Sequence, residues 1–89
     1  MSQGIHATEI ELEPQQQRRV AARLATFVEK HGSHGRAAAA MGISPSLFSK
    51  LILARRSERF SRPETLDKIA KVCNVTRDVL IYGNAELVR

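Results

Sequence analysis

The stretch RAAAAMGISPSLFSKL, from Arg36 to Leu51, restricts the fold more than any other part of the chain. Its four consecutive alanines, Ala37 to Ala40, favour helix strongly and bring almost no side chain to fill a core. Their use is geometric, because small side chains let a second helix come close. Gly42 follows, at a point where a positive φ carries no steric penalty. Ile43 is the apolar residue placed to tuck between two helices. Ser44 is a natural N-cap and Pro45 a natural first residue for the next helix. A link of only about three residues then sets the two helices at a steep angle.

The rest of the chain is punctuated in the same manner. Pro14 suits the first turn of a helix, where a missing N–H costs nothing. Val20, Leu24, Phe27 and Val28 recur at spacings of three and four, beside Ala21 and Ala25, whereas Arg18, Arg19, Arg23 and Lys30 lie largely off that stripe. The pattern predicts an amphipathic helix of about four turns, stopped at Gly32. Ser33 is placed to cap a second helix, which ends at Gly42. The third carries Phe48, Leu51 and Ile52 on its buried side, Ser46, Ser49, Lys50 and Leu53 on the other, and ends near Ala54. Ser61 and Glu64 have the spacing of a capping box around Pro63, and Leu66, Ile69, Ala70 and Cys73 carry a fourth helix as far as Asn74. Thr76 caps a fifth through Val79, Leu80 and Tyr82, closed by Gly83. Beta-branched residues never alternate over a long run, so the expected class is all-α, five short helices with short connections.

Residues 14–83 form the expected domain, residues 84–89 a tail that is a candidate dimer contact, and residues 1–13 an acidic N-terminal arm. Within the arm, EIELE puts Ile10 and Leu12 on one side if extended, as a strand pairing across a dimer requires. For a segment at a chain end, a disordered tail is the more ordinary expectation.

RAAAAMGISPSLFSKL followed by RPETLDKIAKVCNVTRDVL resembles the lambda-repressor-like, Cro-type helix-turn-helix family, over about residues 20–82. Pro63, Leu66, Ile69, Ala70, Val75 and Leu80 resemble the family's fourth and fifth helices, so both halves agree at the right separation. The resemblance implies a five-helix DNA-binding domain with its third helix in the major groove. Members are mostly regulators, many binding palindromic sites as two-fold dimers; a small stand-alone regulator of the plasmid or phage kind, acting as a repressor, is the expectation here. Base edges then fall to Ser44, Pro45, Ser46, Leu47, Ser49 and Lys50. Lys50 is the candidate for guanine O6 and N7, Pro45 and Leu47 for a thymine methyl. Phosphates fall to Ser33, His34 and Arg36 at the start of the second helix, and to Arg55, Arg56, Arg59 and Arg62 after the third. Arg19 and Arg23 are candidates to extend that face. Val79, Tyr82, Leu87 and Val88 form the candidate homodimer interface, joined by Ile10 and Leu12. Two positions depart from the family's pattern: His34 stands where Gln is frequent, and Ile52 where an acidic residue commonly follows the recognition stripe. With no Arg, Asn or Gln on the third helix, shape and arm contacts are expected to carry part of the specificity.

Charge points the same way. The net charge of +5 is uneven: residues 1–13 carry −3 through Glu9, Glu11 and Glu13, residues 14–62 carry +8, and residues 63–89 balance. A basic middle suits a polyanion such as double-stranded DNA. Each phosphate neutralised steepens the salt dependence of binding by roughly 0.9 log units per log unit of salt. Other classes recede. The lone Cys73 permits no intramolecular disulfide. No run approaches the roughly 18 apolar residues of a membrane span, and the N-terminus lacks a signal peptide's basic start and apolar core, so a cytoplasmic location is expected. His31, His34 and one thiol do not make a zinc set; neither catalysis nor a metal, cofactor or small-molecule site is expected. The strongest rival is a protein-interaction module or DNA-binding antitoxin whose specificity depends on a partner held by residues 1–13. An acidic arm beside a basic face is also a candidate mimic of a phosphate backbone.

Overall fold

The computed structural model describes residues 9–83. Five α-helices lie among them: α1 (Pro14–His31), α2 (His34–Met41), α3 (Pro45–Leu53), α4 (Pro63–Val72) and α5 (Arg77–Tyr82). A 3-10 turn at Arg56–Glu58 and a two-stranded antiparallel sheet, β1 (Ile10–Glu11) with β2 (Phe60–Ser61), complete the described chain. Helix accounts for 73% of the structure, so the fold is mostly helical with a very small sheet appended.

Local signals set most helix ends. Pro14 opens α1, and the Glu13 N–H donates to Gln16 Oε1 at 2.7 Å. Gly32 closes it in the left-handed region, its N–H donating to the Val28 carbonyl at 2.7 Å. Ser33, Ser44 and Thr76 each cap the helix that follows, their hydroxyls accepting from the N–H groups of Arg36, Leu47 and Val79 at 3.1 Å. Each cap satisfies one of the free N–H groups that every helix start leaves, an effect of about 1 kcal/mol. α1 is the hub, packing against α2, α3 and α5, while α4 packs against α2 and α5. Val20, Leu24, Phe48, Leu66, Ile69 and Leu80 meet in the core between them.

The alanine run divides into two roles. Ala37 and Ala38 are fully buried, where α2 meets its neighbours, and let the helices approach. Ala39 and Ala40 are exposed, so their contribution is helix propensity rather than close packing. Gly42 ends α2 at φ 77°, with its N–H directed to the Ala39 carbonyl at 3.1 Å, and the Ile43 N–H donates to the Ala38 carbonyl at 3.1 Å. A Cβ at Gly42 would meet nothing within 4 Å, so glycine is required there by the dihedral and not by space. Ala54 ends α3 at φ 54° without that freedom, a conformation that is unfavourable for an L-residue by roughly 1–2 kcal/mol.

Two expectations fail at the sheet. Ser61 does not cap α4: it lies in β2, buried, with its Oγ unpaired, and Arg62 occupies the cap position without a side-chain bond. Pairing with β1 draws Ser61 into an extended ladder two residues before the helix. The end of the arm is not a free tail either, and its strand pairs within the chain. Ile10 lies opposite Ser61, Glu11 opposite Phe60, and the Leu12 N–H donates to the Arg59 carbonyl at 2.8 Å. The alternation of EIELE has the consequence its pattern implies: Leu12 is only 2% exposed and belongs to the main core, with Ile10 packed partly against it. Burial of such a leucine contributes about 1.5–3 kcal/mol.

Candidate nucleic-acid interface

α3 has two faces. Phe48 and Leu51 are buried against the core, and Ile52 is half-buried beside them. On the opposite side Ser46, Ser49, Lys50 and Leu53 are exposed at spacings of three and four, which aligns them along one stripe. Leu53, at 57% exposure, extends that stripe by a turn and is an apolar group facing solvent. Of the other candidates on this helix, Pro45 is exposed and Leu47 is half-buried against the core. Ser44 is exposed, with its hydroxyl engaged as the cap. α2 starts beside this region. Its Ser33 hydroxyl caps Arg36, and His34 rests edge-on against Phe48 with ring centroids 5.6 Å apart. His34 is therefore a packing residue as well as an exposed one.

The cations around this face fall into two groups. The side chains of Arg36, Lys50, Arg55 and Arg62 are exposed and make no hydrogen bond or ion pair among the described residues. Arg56 and Arg59, expected to meet phosphates, are committed inside the chain. Arg56 NH1 donates to the Leu12 carbonyl at 2.7 Å and to Gln17 Oε1 at 2.8 Å, and NH2 stands 4.0 Å from Glu11 Oε2. Gln17 in turn donates through Nε2 to the Arg55 carbonyl at 2.8 Å, so one buried amide ties α1 to the loop after α3. Arg59 holds the same Glu11 Oε2 through Nε at 3.3 Å, donates through NH1 to the Arg56 carbonyl at 2.8 Å, and lies 4.9 Å from the Phe60 ring centroid. Glu9, the next acid of the arm, lines a groove of about 310 Å³ together with Arg62, Leu47 and Phe60.

Sequence reasoning did not find Lys68, whose Nζ donates to the Gly42 carbonyl at 3.2 Å and puts a cation on the α2–α3 turn. No local signal marks it, because α4 reaches that turn only through the tertiary fold. Arg19 and Arg23 do not extend this cationic group. Arg19 NH1 donates to the Ile81 carbonyl at 3.3 Å, at the C-terminal end of α5, where a cation meets unpaired carbonyls. Arg23 lines one groove with the half-buried Cys73; burial pushes that thiol's pKa up, and the Arg23 charge pulls it partly back.

The dimer candidates separate as well. Val79 is buried within the single chain and offers little surface to a partner, and so does Leu12. Burial of Val79 follows from its place in the first turn of α5, with Leu80 and Ile81 buried behind it. Tyr82 remains 52% exposed, whereas Leu87 and Val88 lie outside the described residues. Among the described residues, no group of three or more His, Cys, Asp or Glu is placed to hold a metal ion, and no helix is long and apolar enough to cross a membrane. No protein-family model matches the chain, and neither a curated protein nor a solved structure does.

Proposed function

We propose that the protein is a sequence-specific double-stranded DNA-binding regulator in which α2 and α3 form a helix-turn-helix and α3 enters the major groove. The observation that carries this reading is the outer stripe of α3, with short polar Ser46 and Ser49, the long donor Lys50 and the apolar Leu53, flanked by the uncommitted Arg36, Arg55 and Arg62. Base edges call for short polar, long-donor and methyl-contacting groups, and phosphates call for free cations around them. Close packing of α2 at Ala37 and Ala38 supports the same reading, since it holds α3 rigidly with that stripe outward.

One domain of this size makes few base contacts, so the regulator acts as a homodimer on a palindromic operator, with half-sites about 34 Å apart. Among the described residues, Tyr82 is the exposed member of that interface. Occupation of a duplex site blocks its use by other proteins, which makes repression the expected sign. Selection of bound sequences from random duplex DNA at about 150 mM salt tests the proposal. An enriched inverted repeat is the expected result. Salt-sensitive binding with no enriched motif overturns sequence-specific recognition in favour of a partner-dependent module, and an absence of binding overturns it altogether.

A further inference from the structure

The acidic arm and the basic loop meet at one carboxylate. Glu11 Oε2 lies 3.3 Å from Arg59 Nε and 4.0 Å from Arg56 NH2. All three side chains are between a third and about half exposed, so the junction is reachable from solvent rather than sealed in the core. The two guanidinium groups belong to the same cationic loop as the uncommitted Arg55 and Arg62. A phosphate oxygen approaching that loop would seek the same N–H edges that Glu11 holds.

We propose that Glu11 is a built-in competitor for the DNA backbone, standing in for a phosphate on Arg59 and Arg56 until a duplex displaces it. The inference rests on the duplex-binding reading and adds its regulation. Release of Glu11 does not require release of the arm. Leu12, the next residue, is anchored in the core, and its carbonyl is held by Arg56 NH1 at 2.7 Å. Only the Glu11 side chain swings away, which frees Arg59 Nε while the strand pairing persists. The competition is local, sequence-independent and screened by salt, because an exposed ion pair weakens as ionic strength rises. It therefore lowers affinity for every duplex alike and leaves base preference unchanged.

The test compares the 89-residue chain with E11Q and E29Q in titrations of a short mixed-sequence duplex over a range of salt. Glu29 is exposed on α1 and makes no ion pair among the described residues, so E29Q removes the same charge without opening the junction. Circular dichroism checks that each variant is folded. E11Q is expected to bind about two- to fivefold more tightly at low salt, the range an exposed ion pair supports. Its salt slope is expected to steepen by up to roughly 0.9, the increment for one more neutralised phosphate. E29Q is expected to move both quantities less than half as far. Equal behaviour of E11Q and E29Q overturns the competitor and leaves DNA binding intact. Failure of all three proteins to bind any duplex overturns the duplex-binding reading and, with it, this one.

Discussion

The joint between α2 and α3 and the corner formed by β1, β2 and the 3-10 turn both carry basic and small polar residues, but they use them differently. At the joint, most backbone needs are met from within a few residues: Gly42 supplies the dihedral, Ser44 the cap and Pro45 the start, and only the Gly42 carbonyl takes a distant donor, Lys68. The outward side chains Ser46, Ser49 and Lys50 are left free. At the corner, distant residues meet the needs. Arg56 closes onto Leu12 and Gln17, 44 and 39 positions away in sequence, and Glu11 draws Arg59 into the same knot. Local self-sufficiency leaves side chains available to a partner, whereas a long-range junction consumes them.

The largest expected effect tests whether the corner is truly part of the core. Leu12→Ala should destabilise the protein by about 2–5 kcal/mol in denaturant unfolding; a loss well under 1 kcal/mol would mean that the arm merely lies on the surface. Arg56→Ala probes the same corner by removing the donor to the Leu12 carbonyl and Gln17 Oε1. It should lower stability by about 1–3 kcal/mol through the partly buried acceptors it strands. A pure phosphate-binding role predicts instead an unchanged melting temperature with weaker DNA binding.

Lys50→Ala turns to the joint. It should leave the melting temperature nearly unchanged and reduce discrimination between selected and scrambled duplexes by about 1–3 kcal/mol. Equal discrimination in the variant and the parent would remove Lys50 from the groove. The smallest effect concerns Ala54, which ends α3 at φ 54°. Ala54→Gly should raise stability by about 0.5–1 kcal/mol, because relief of the left-handed strain exceeds glycine's greater unfolded-state entropy. A loss of stability would show that the methyl group packs better than its dihedral suggests.

Much of the fold is legible along the chain, and the reasons are specific. Ser33, Ser44 and Thr76 act on N–H groups three residues ahead, so their roles can be read from spacing alone. The apolar stripe of Val20, Leu24 and Phe27 names its own buried face. Reading stalls where one residue has two eligible uses. Ser61 has a cap's spacing to Glu64 and also a strand's position, and the pairing with Ile10 decides between them. The candidate site divides on the same line. The outward side chains of α3 follow from helical periodicity, while Arg56 and Arg59 read as free cations until Glu11 is brought beside them.

The five helices, the caps at Ser33, Ser44 and Thr76, the turn at Gly42 and the side of α3 that faces solvent are all written along the chain, because each depends on interactions spanning one helical turn or less. It takes the packed molecule to bring Leu12 into the core, Ser61 into a strand and Lys68 to the Gly42 carbonyl, and to set which arginines stay free among the described residues. Those outcomes depend on which distant groups the chain brings within hydrogen-bonding range. A side chain's charge is written in the sequence, but its partner is chosen by the packing of helices far apart along the chain.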